Sequence, residues 1–309
     1  MTMMGMKRKK DKKTEKEPPE NQRGARTDLA MEERELWHKE AGQTTKLPGV
    51  AAQEIRRRGI LTTVVRVLNE EGAKELHKPV GTYVTLELEE LNRKKLRAFH
   101  RVTETLAGEI ADMMKLRPES SVLVVGLGNE AVTPDAVGPQ SLKSLLVSRH
   151  LTTAFPEHYG DIRPVSALAP GVLGTTGLES AEIVRSVVEK TRPDALVVID
   201  ALASRSISRL CTTVQLTDTG IVPGSGVGNS RAAFTRESLG LPVYAIGVPT
   251  VTDAGALVST EQNDACADMI VTPRNIDARM KEIASVIAWG LNLALHSNLT
   301  REEIAQFVE

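Results

Sequence analysis

The sequence has little cysteine and almost no net charge. Its 309 residues include two cysteines, Cys211 and Cys266, with no CxxC spacing, so it offers neither a disulfide framework nor a zinc knuckle. The formal net charge is −1, which gives no argument for direct binding to nucleic acid or to a membrane. No apolar run reaches the roughly 20 residues of a membrane-spanning helix. The composition is that of an ordinary globular protein, and the low cysteine content fits a reducing compartment.

The first 26 residues lack large apolar side chains almost completely, and they are rich in lysine. Such a segment cannot bury enough surface to fold alone, so we expect a disordered basic tail. No apolar stretch follows the basic residues, so the tail is not expected to be a secretory signal. Order is predicted to begin within residues 26–32, where Thr27 or Asp28 is a suitable helix N-cap.

Apolar periodicity in the rest of the chain alternates between strands and helices. Buried or half-buried strands are predicted at 60–67, 80–88, 122–125 and 195–199. Amphipathic helices are predicted at 89–115, 138–149, 178–191 and 276–296. Residues 70–73 suit a turn. The alternation predicts an α/β fold with a mainly parallel sheet that is sandwiched by helices.

The loop after residues 122–125 begins with Gly126-Leu127-Gly128 and fits the GxGxxA fingerprint of dinucleotide binding. Two features argue against that function. Pro134 and Pro139 interrupt the segment where the phosphate-binding helix should begin, and no acidic strand end stands at the required distance. A nucleotide-binding α/β protein that uses the Gly126–Gly128 loop is kept as the alternative function.

Nucleophilic catalysis by serine or cysteine has little support. The chain has no GxSxG motif, and Cys266 sits among acidic residues that disfavour a thiolate. No histidine falls in a predicted strand-end loop, so a catalytic triad would lack its base. The same absence weakens a histidine-based metal site, and we expect neither a metal nor another cofactor.

Two aspartates follow the two most apolar strands. Asp135 lies in the polar loop after 122–125, and Asp200 follows 195–199. The carboxyl ends of neighbouring parallel strands meet at one edge of a sheet, so the two carboxylates can converge. Two carboxylates in one site share a proton, which lets one activate water and the other protonate a leaving group. The plainer alternative is that Asp200 caps a helix or stabilises a loop.

Five segments, in order, closely resemble the spore germination proteases of endospore-forming bacteria. They are GLGNEAVTPDAVGP, APGVLGTTGLES, VIDALASRS, TVQLTDTGIVPGSGVGNSR and VYAIGVPTVTDA. The resemblance runs from about Arg26 to His296 and implies an aspartic-type endopeptidase whose fold resembles that of the hydrogenase maturation proteases. It also implies that Asp135 and Asp200 are the catalytic pair and that small acid-soluble spore proteins are the substrates.

The resemblance further implies a self-processing zymogen. Family substrates are cut after an acidic residue that precedes a larger apolar residue and then a small one, and Asp28-Leu29-Ala30 has this form. Residues 1–28 would then be a basic propeptide, and residues 29–309 the peptidase domain. The family also implies a cytoplasmic homotetramer in the forespore and spore core. The chain departs from its relatives in a longer basic tail and in a missing insertion before Val271.

Overall fold

The computed structural model describes residues 27–41, 47–93, 96–228, 231–257 and 269–308. Most of the predicted tail therefore lies outside the described residues, and so does Cys266. The α-helices in those ranges are α1 Ala30–Ala41, α2 Glu70–Leu76, α3 Leu96–Met114, α4 Val137–Leu142, α5 Arg149–Ala154, α6 Pro156–Tyr159, α7 Leu173–Thr176, α8 Ser180–Thr191, α9 Arg236–Leu239, α10 Ile276–Leu295 and α11 Arg301–Val308. The strands are β1 Val50–Arg57, β2 Ile60–Val67, β3 Gly81–Glu87, β4 Val122–Gly126, β5 Val165–Leu168, β6 Ala195–Ala203, β7 Thr213–Thr217, β8 Val243–Asp253 and β9 Ile270–Val271. Among the helices of these ranges, none has both the length and the apolar character to cross a lipid bilayer.

The described strands form one open, mixed sheet. Its order is β1-β2-β3-β7-β8-β6-β4-β5, and β9 pairs with the end of β8. Strands β8, β6, β4 and β5 are parallel to one another, whereas β1, β2, β3 and β7 pair antiparallel with their neighbours. The α/β class is therefore confirmed, but the sheet is mixed and not mainly parallel. The parallel pairing is confined to the half of the sheet that carries the candidate aspartates.

Helices cover both faces of the parallel half, which buries its strands on both sides. One face, with Val197 and Ile199 of β6, packs against α3 and α10. The opposite face, with Leu196 and Val198, packs against α8. Since side chains alternate along a strand, Asp200 of β6 points to the α8 side.

The helix predicted at 138–149 is wrong in its second half, because α4 ends at Leu142. The buried amide of Asn292 in α10 binds the loop that follows. Its Oδ1 accepts a hydrogen bond from the Leu146 N–H at 2.8 Å, and its Nδ2 donates to the Ser144 carbonyl oxygen at 2.9 Å. These tertiary hydrogen bonds replace those that a continued helix would make.

Two features near the antiparallel edge also differ from the prediction. The turn predicted at 70–73 is instead the start of α2. Asn69 caps this helix, since its Oδ1 accepts a hydrogen bond from the Gly72 N–H at 3.0 Å. The sequence does not predict the edge strand β1, because its mostly exposed sequence VAAQEIRR has no alternation of apolar and polar residues.

Helix α1 is anchored to the body by the carboxylate of Glu32, which is 2% exposed. This group accepts hydrogen bonds from the N–H groups of Arg205 at 2.7 Å and Ser206 at 3.1 Å, from Ser204 Oγ at 2.9 Å and from Arg209 Nη1 at 3.0 Å. Burial acts to raise the pKa of Glu32, but the hydrogen bonds outweigh burial and the pKa is lowered. The ionised carboxylate therefore ties α1 to the loop after β6.

We expect Glu32→Ala to lower the free energy of unfolding by about 3 kcal/mol, because it removes every hydrogen bond to this buried carboxylate. The N–H groups of Arg205 and Ser206 lose their acceptor, and Arg209 keeps only Glu35 as a carboxylate partner. The matched control is Glu35→Ala, which removes a more exposed partner of the same guanidinium and should cost less than about 1 kcal/mol. Chemical denaturation at neutral pH measures both losses.

The lowered pKa of Glu32 also sets a pH dependence. Its stabilisation is fully present above the ordinary glutamate value of about 4.3 and is lost as the pH falls through the folded pKa. The difference between wild type and Glu32→Ala should therefore shrink in acid. Equal losses in the Glu32 and Glu35 variants at neutral pH would contradict the anchoring role.

Candidate active site

Asp135 lies in a short 3-10 helix, Thr133–Asp135, which follows β4 through the Gly126–Gly128 turn. Gly128 has a φ of 110°, and a Cβ there would collide with the Asp135 carbonyl oxygen. Glycine therefore lets this loop close on itself. The closed loop brings the Asn129 N–H to Asp135, whose Oδ2 accepts its hydrogen bond at 2.8 Å. The close contact between Gly128 and Asp135 explains why the GxGxxA pattern has a glycine here. No bound nucleotide is needed to explain it.

Asp200 lies inside β6, because the strand continues beyond the predicted end to Ala203. It is 5% exposed, and its Oδ1 accepts a hydrogen bond from the Ala201 N–H at 2.9 Å. The backbone on both sides of Asp200 is extended strand. The plainer alternative, in which Asp200 caps a helix, therefore does not apply.

The two aspartates line one cavity of about 310 Å³. Strands β4 and β6 are adjacent and parallel, as their expected convergence requires. Arg231 lines the same cavity, and so does Asp28 of the predicted cleavage junction. The structure thus brings Asp28, Asp135 and Asp200 to one cavity. They are three of the four site residues predicted from the sequence, and the fourth, Leu29, follows Asp28 in the chain.

The electrostatics of this cavity favour a shared proton. Burial raises the pKa of Asp200 well above its usual value, and the charge of Asp135 raises it further. Burial also raises the pKa of Asp135, against the opposing effects of the Asn129 hydrogen bond and of Arg231. Like charges in one buried site cannot easily both ionise. The proton is held more readily on Asp200, which is the more deeply buried of the two.

The peptide bond between Asp28 and Leu29 is fixed by hydrogen bonds on both sides. The Asp28 carbonyl oxygen accepts from Lys78 Nζ at 3.1 Å and from Gln215 Nε2 at 3.2 Å. The Leu29 N–H donates to Thr27 Oγ1 at 3.0 Å. Leu29 itself is completely buried. The predicted junction is therefore held against the body of the protein.

Strand register relates this peptide bond to Asp200. Gln215 in β7 and Asp200 in β6 are both partners of Gly247 in β8, which lies between them. Directly opposite residues point to the same face of a sheet, and two strand spacings amount to about 10 Å. Gln215 and Asp200 therefore stand on one face, and the side chain of Leu202 packs over Gly247 between them. The carbonyl group that Gln215 binds lies on the face that presents Asp200.

Sequence reasoning did not single out Lys78, Gln215 or Arg231. Lys78 follows α2 in a loop that matches no motif. Gln215 is the one amide in a strand of threonines and apolar residues, TVQLT, and is 5% exposed. A polar residue in the middle of a predicted strand was the available signal for Gln215. No comparable signal marks Lys78.

We expect the peptidase activity that the resemblance implies to survive treatment with EDTA. Within the described ranges, no group of three or more His, Cys, Asp or Glu side chains is arranged to hold a metal ion. Two aspartates alone supply few of the six to eight oxygen ligands that Ca²⁺ takes. Calorimetry is likewise expected to show no binding of NAD or ATP. Loss of activity in EDTA that a specific divalent ion restores would contradict chemistry by carboxylates alone.

Comparisons with known proteins give consistent matches. The family model described as germination protease matches residues 26–265. A germination protease of Caldanaerobacter subterraneus subsp. tengcongensis is 43% identical over 92% of this chain and 98% of its own length. A germination protease of Clostridium perfringens strain 13 is 40% identical over 92% of this chain and 98% of its own. One of Geobacillus sp. strain WCH70 is 46% identical over 91% and 96%.

These matches show that the α/β protein described above is a peptidase. More particularly, the chain belongs to the germination protease family, which confirms the resemblance found in its sequence. The alignment with the Geobacillus protein spans 359 residues, more than the 309 of this chain, so that relative has residues without a counterpart here. The predicted place of the missing insertion, before Val271, lies largely outside the described residues.

Proposed function

We propose that the chain is an endopeptidase that degrades small acid-soluble spore proteins during germination. The observation that carries the proposal is that Asp28, Asp135 and Asp200 line one cavity in a member of the germination protease family. Asp135 and Asp200 form an aspartic-type dyad in this proposal. Residues 1–28 are a propeptide that the chain removes from its own peptidase domain, residues 29–309.

The proposed reaction is the addition of water to the carbonyl carbon of the residue before the cleaved bond. Ionised Asp135 takes a proton from the water as the water oxygen attacks that carbon. Protonated Asp200 gives its proton to the amide nitrogen, the C–N bond breaks, and a carboxyl group and an amine are released. Deep burial and the neighbouring charge of Asp135 favour Asp200 as the group that holds the proton.

Lys78 and Gln215 fit a supporting role in this reaction. Negative charge develops on the carbonyl oxygen as water attacks, and donors already aimed at that oxygen stabilise it. In the precursor both side chains donate to the Asp28 carbonyl oxygen. Burial lowers the pKa of the Lys78 ammonium group, and the negative charge of Asp28 opposes that effect. We assign to the two side chains the stabilisation of the developing charge.

The same contacts support an inactive precursor. Asp28 lines the cavity of the dyad, and Leu29 and Ala30 are completely buried. The Ala30 N–H also donates to Gln215 Oε1 at 2.9 Å. A segment that occupies the site in the manner of a substrate excludes other substrates until it is cut. The junction is thus the proposed lock of the zymogen.

Incubation of the matured protein with purified small acid-soluble spore proteins, followed by mass spectrometry, tests the proposed function. We expect a few defined fragments. Each cut should follow an acidic residue and precede a larger apolar residue and then a small one. Full-length Asp135→Asn protein is the control and should leave the substrates intact. Intact substrates with the wild-type enzyme would contradict the proposal.

We also propose, from the family resemblance, that the enzyme is a homotetramer in the forespore and spore core. Analytical ultracentrifugation measures the assembly, and a fluorescent fusion measures the location. A monomer in solution, or fluorescence confined to the mother cell, would contradict these two statements separately.

A further inference from the structure

The carboxylate of Asp28 is held by two separate parts of the chain. Its Oδ2 accepts a hydrogen bond from the Ala203 N–H at 2.8 Å, and its Oδ1 accepts one from Ser225 Oγ at 2.7 Å. The Asp28 N–H in turn donates to the Ala203 carbonyl oxygen at 3.0 Å. The last residue of β6 therefore binds both the backbone and the side chain of Asp28, and each carboxylate oxygen has a donor.

The glycine-rich segment after β7 leaves room for the Asp28 carboxylate. Ser225 begins a 3-10 helix, Ser225–Val227, in that segment, and Gly226 stands directly against Asp28. A Cβ at Gly226 would collide with Asp28 Oδ2 and would lie only 2.7 Å from the Cβ of Ala203. A side chain at this position would therefore push the carboxylate away from its donors. The lack of a side chain at Gly226 is thus part of a closely fitted pocket.

We infer that Ser225, Gly226 and the backbone of Ala203 form the subsite that selects an acidic residue before the cleaved bond. The inference rests on the proposed function, in which Asp28 is that residue. Hydrogen bonds to a carboxylate are stronger than those to a neutral amide of the same shape. The positive charge of Lys78 interacts favourably with Asp28. Aspartate is therefore favoured over asparagine at this position of a substrate.

A double-mutant cycle on the full-length chain tests the inference through the rate of self-cleavage. Its members are wild type, Ser225→Ala, Asp28→Asn and the double variant. Ser225→Ala should slow cleavage about tenfold when Asp28 is present, as expected for the loss of a charge-assisted hydrogen bond. In the Asp28→Asn background the same change should alter the rate less than about threefold, because the two residues interact. Ser208→Ala, at an exposed serine, is the control and should leave the rate unchanged.

The outcomes of the cycle distinguish a failure of the inference from a failure of the proposed function. If Ser225 has only a structural role, its change slows both backgrounds by the same factor, which overturns the inference. If the wild-type chain does not cut itself, the proposed function fails and the inference falls with it.

A second measurement uses the matured protein and two peptides that copy residues 22–34, one with asparagine in place of Asp28. Wild type should prefer the aspartate peptide in kcat/KM. Gly226→Ala crowds the carboxylate and should bring the ratio of the two kcat/KM values toward one. An unchanged ratio would overturn the assignment of the pocket, because general damage to the enzyme lowers both values alike.

Discussion

Asp200→Asn is expected to slow self-cleavage of the full-length chain by about a thousandfold. Asparagine keeps the shape of the side chain, and its oxygen can still accept the hydrogen bond of the Ala201 N–H. It has no acidic proton for the leaving amide nitrogen. Asp135→Asn should have an effect of similar size, since it removes the base. The double variant should be little slower than either single one, because groups that act as a unit lose their function together.

The same Asp200→Asn change is expected to stabilise the fold near neutral pH. Burial and the charge of Asp135 raise the pKa of Asp200, so its ionised form is unfavourable in the folded state. Wild type and variant should therefore be about equally stable below the ordinary aspartate value of about 3.9. The deficit of the wild type should then grow as the pH rises through the raised folded pKa.

Melting temperatures of Asp200→Asn and wild type, measured from about pH 4 to pH 8, test whether the variant becomes the more stable of the two as the pH rises. A variant that is inactive because it is misfolded would melt below the wild type at every pH. That result would mean that the variant is inactive because it is misfolded and not because it lacks a catalytic group. An inactive variant that melts at or above the wild-type temperature at pH 7 supports it.

The second large effect is expected at the junction. Asp28→Lys should slow conversion of the full-length chain to the form that begins at Leu29 by about a hundredfold. A lysine side chain offers no acceptor to the Ala203 N–H or to Ser225 Oγ, and it adds a positive charge near Lys78. Intact mass spectrometry during incubation follows the conversion.

The matched control for the junction is Lys39→Glu, which also reverses a charge on the N-terminal segment but at an exposed position of α1. It should mature at the wild-type rate. If Asp28→Lys matures as fast as Lys39→Glu, the side chain before the bond is not recognised.

The positions of Asp135 and Asp200 could be predicted because each follows or ends a continuous apolar run. Such runs mark buried strands, and the carboxyl end of a parallel strand is where a polar residue meets a site. The adjacency of β4 and β6, on which the convergence depends, is a property of the whole sheet. From the sequence, convergence of the two carboxylates could be predicted only on the condition that these two strands are neighbours.

The surroundings of the junction could not be predicted in the same way. Asp28 is separated by 50 residues from Lys78, by 187 from Gln215 and by 197 from Ser225. No local periodicity encodes contacts between residues so distant in sequence. Asn292 shows the same effect on secondary structure, since its contacts 146 and 148 residues away end a helix that local pattern alone would continue.

The most direct test of self-cleavage by the carboxylate pair is N-terminal sequencing of purified full-length protein after incubation without any other protease. Wild type should acquire Leu29 as its first residue, and the Asp135→Asn protein should keep its original N-terminus over the same time. If the Asp135→Asn protein acquires Leu29 as its first residue at the wild-type rate, the dyad does not cut the junction and the proposed mechanism is wrong.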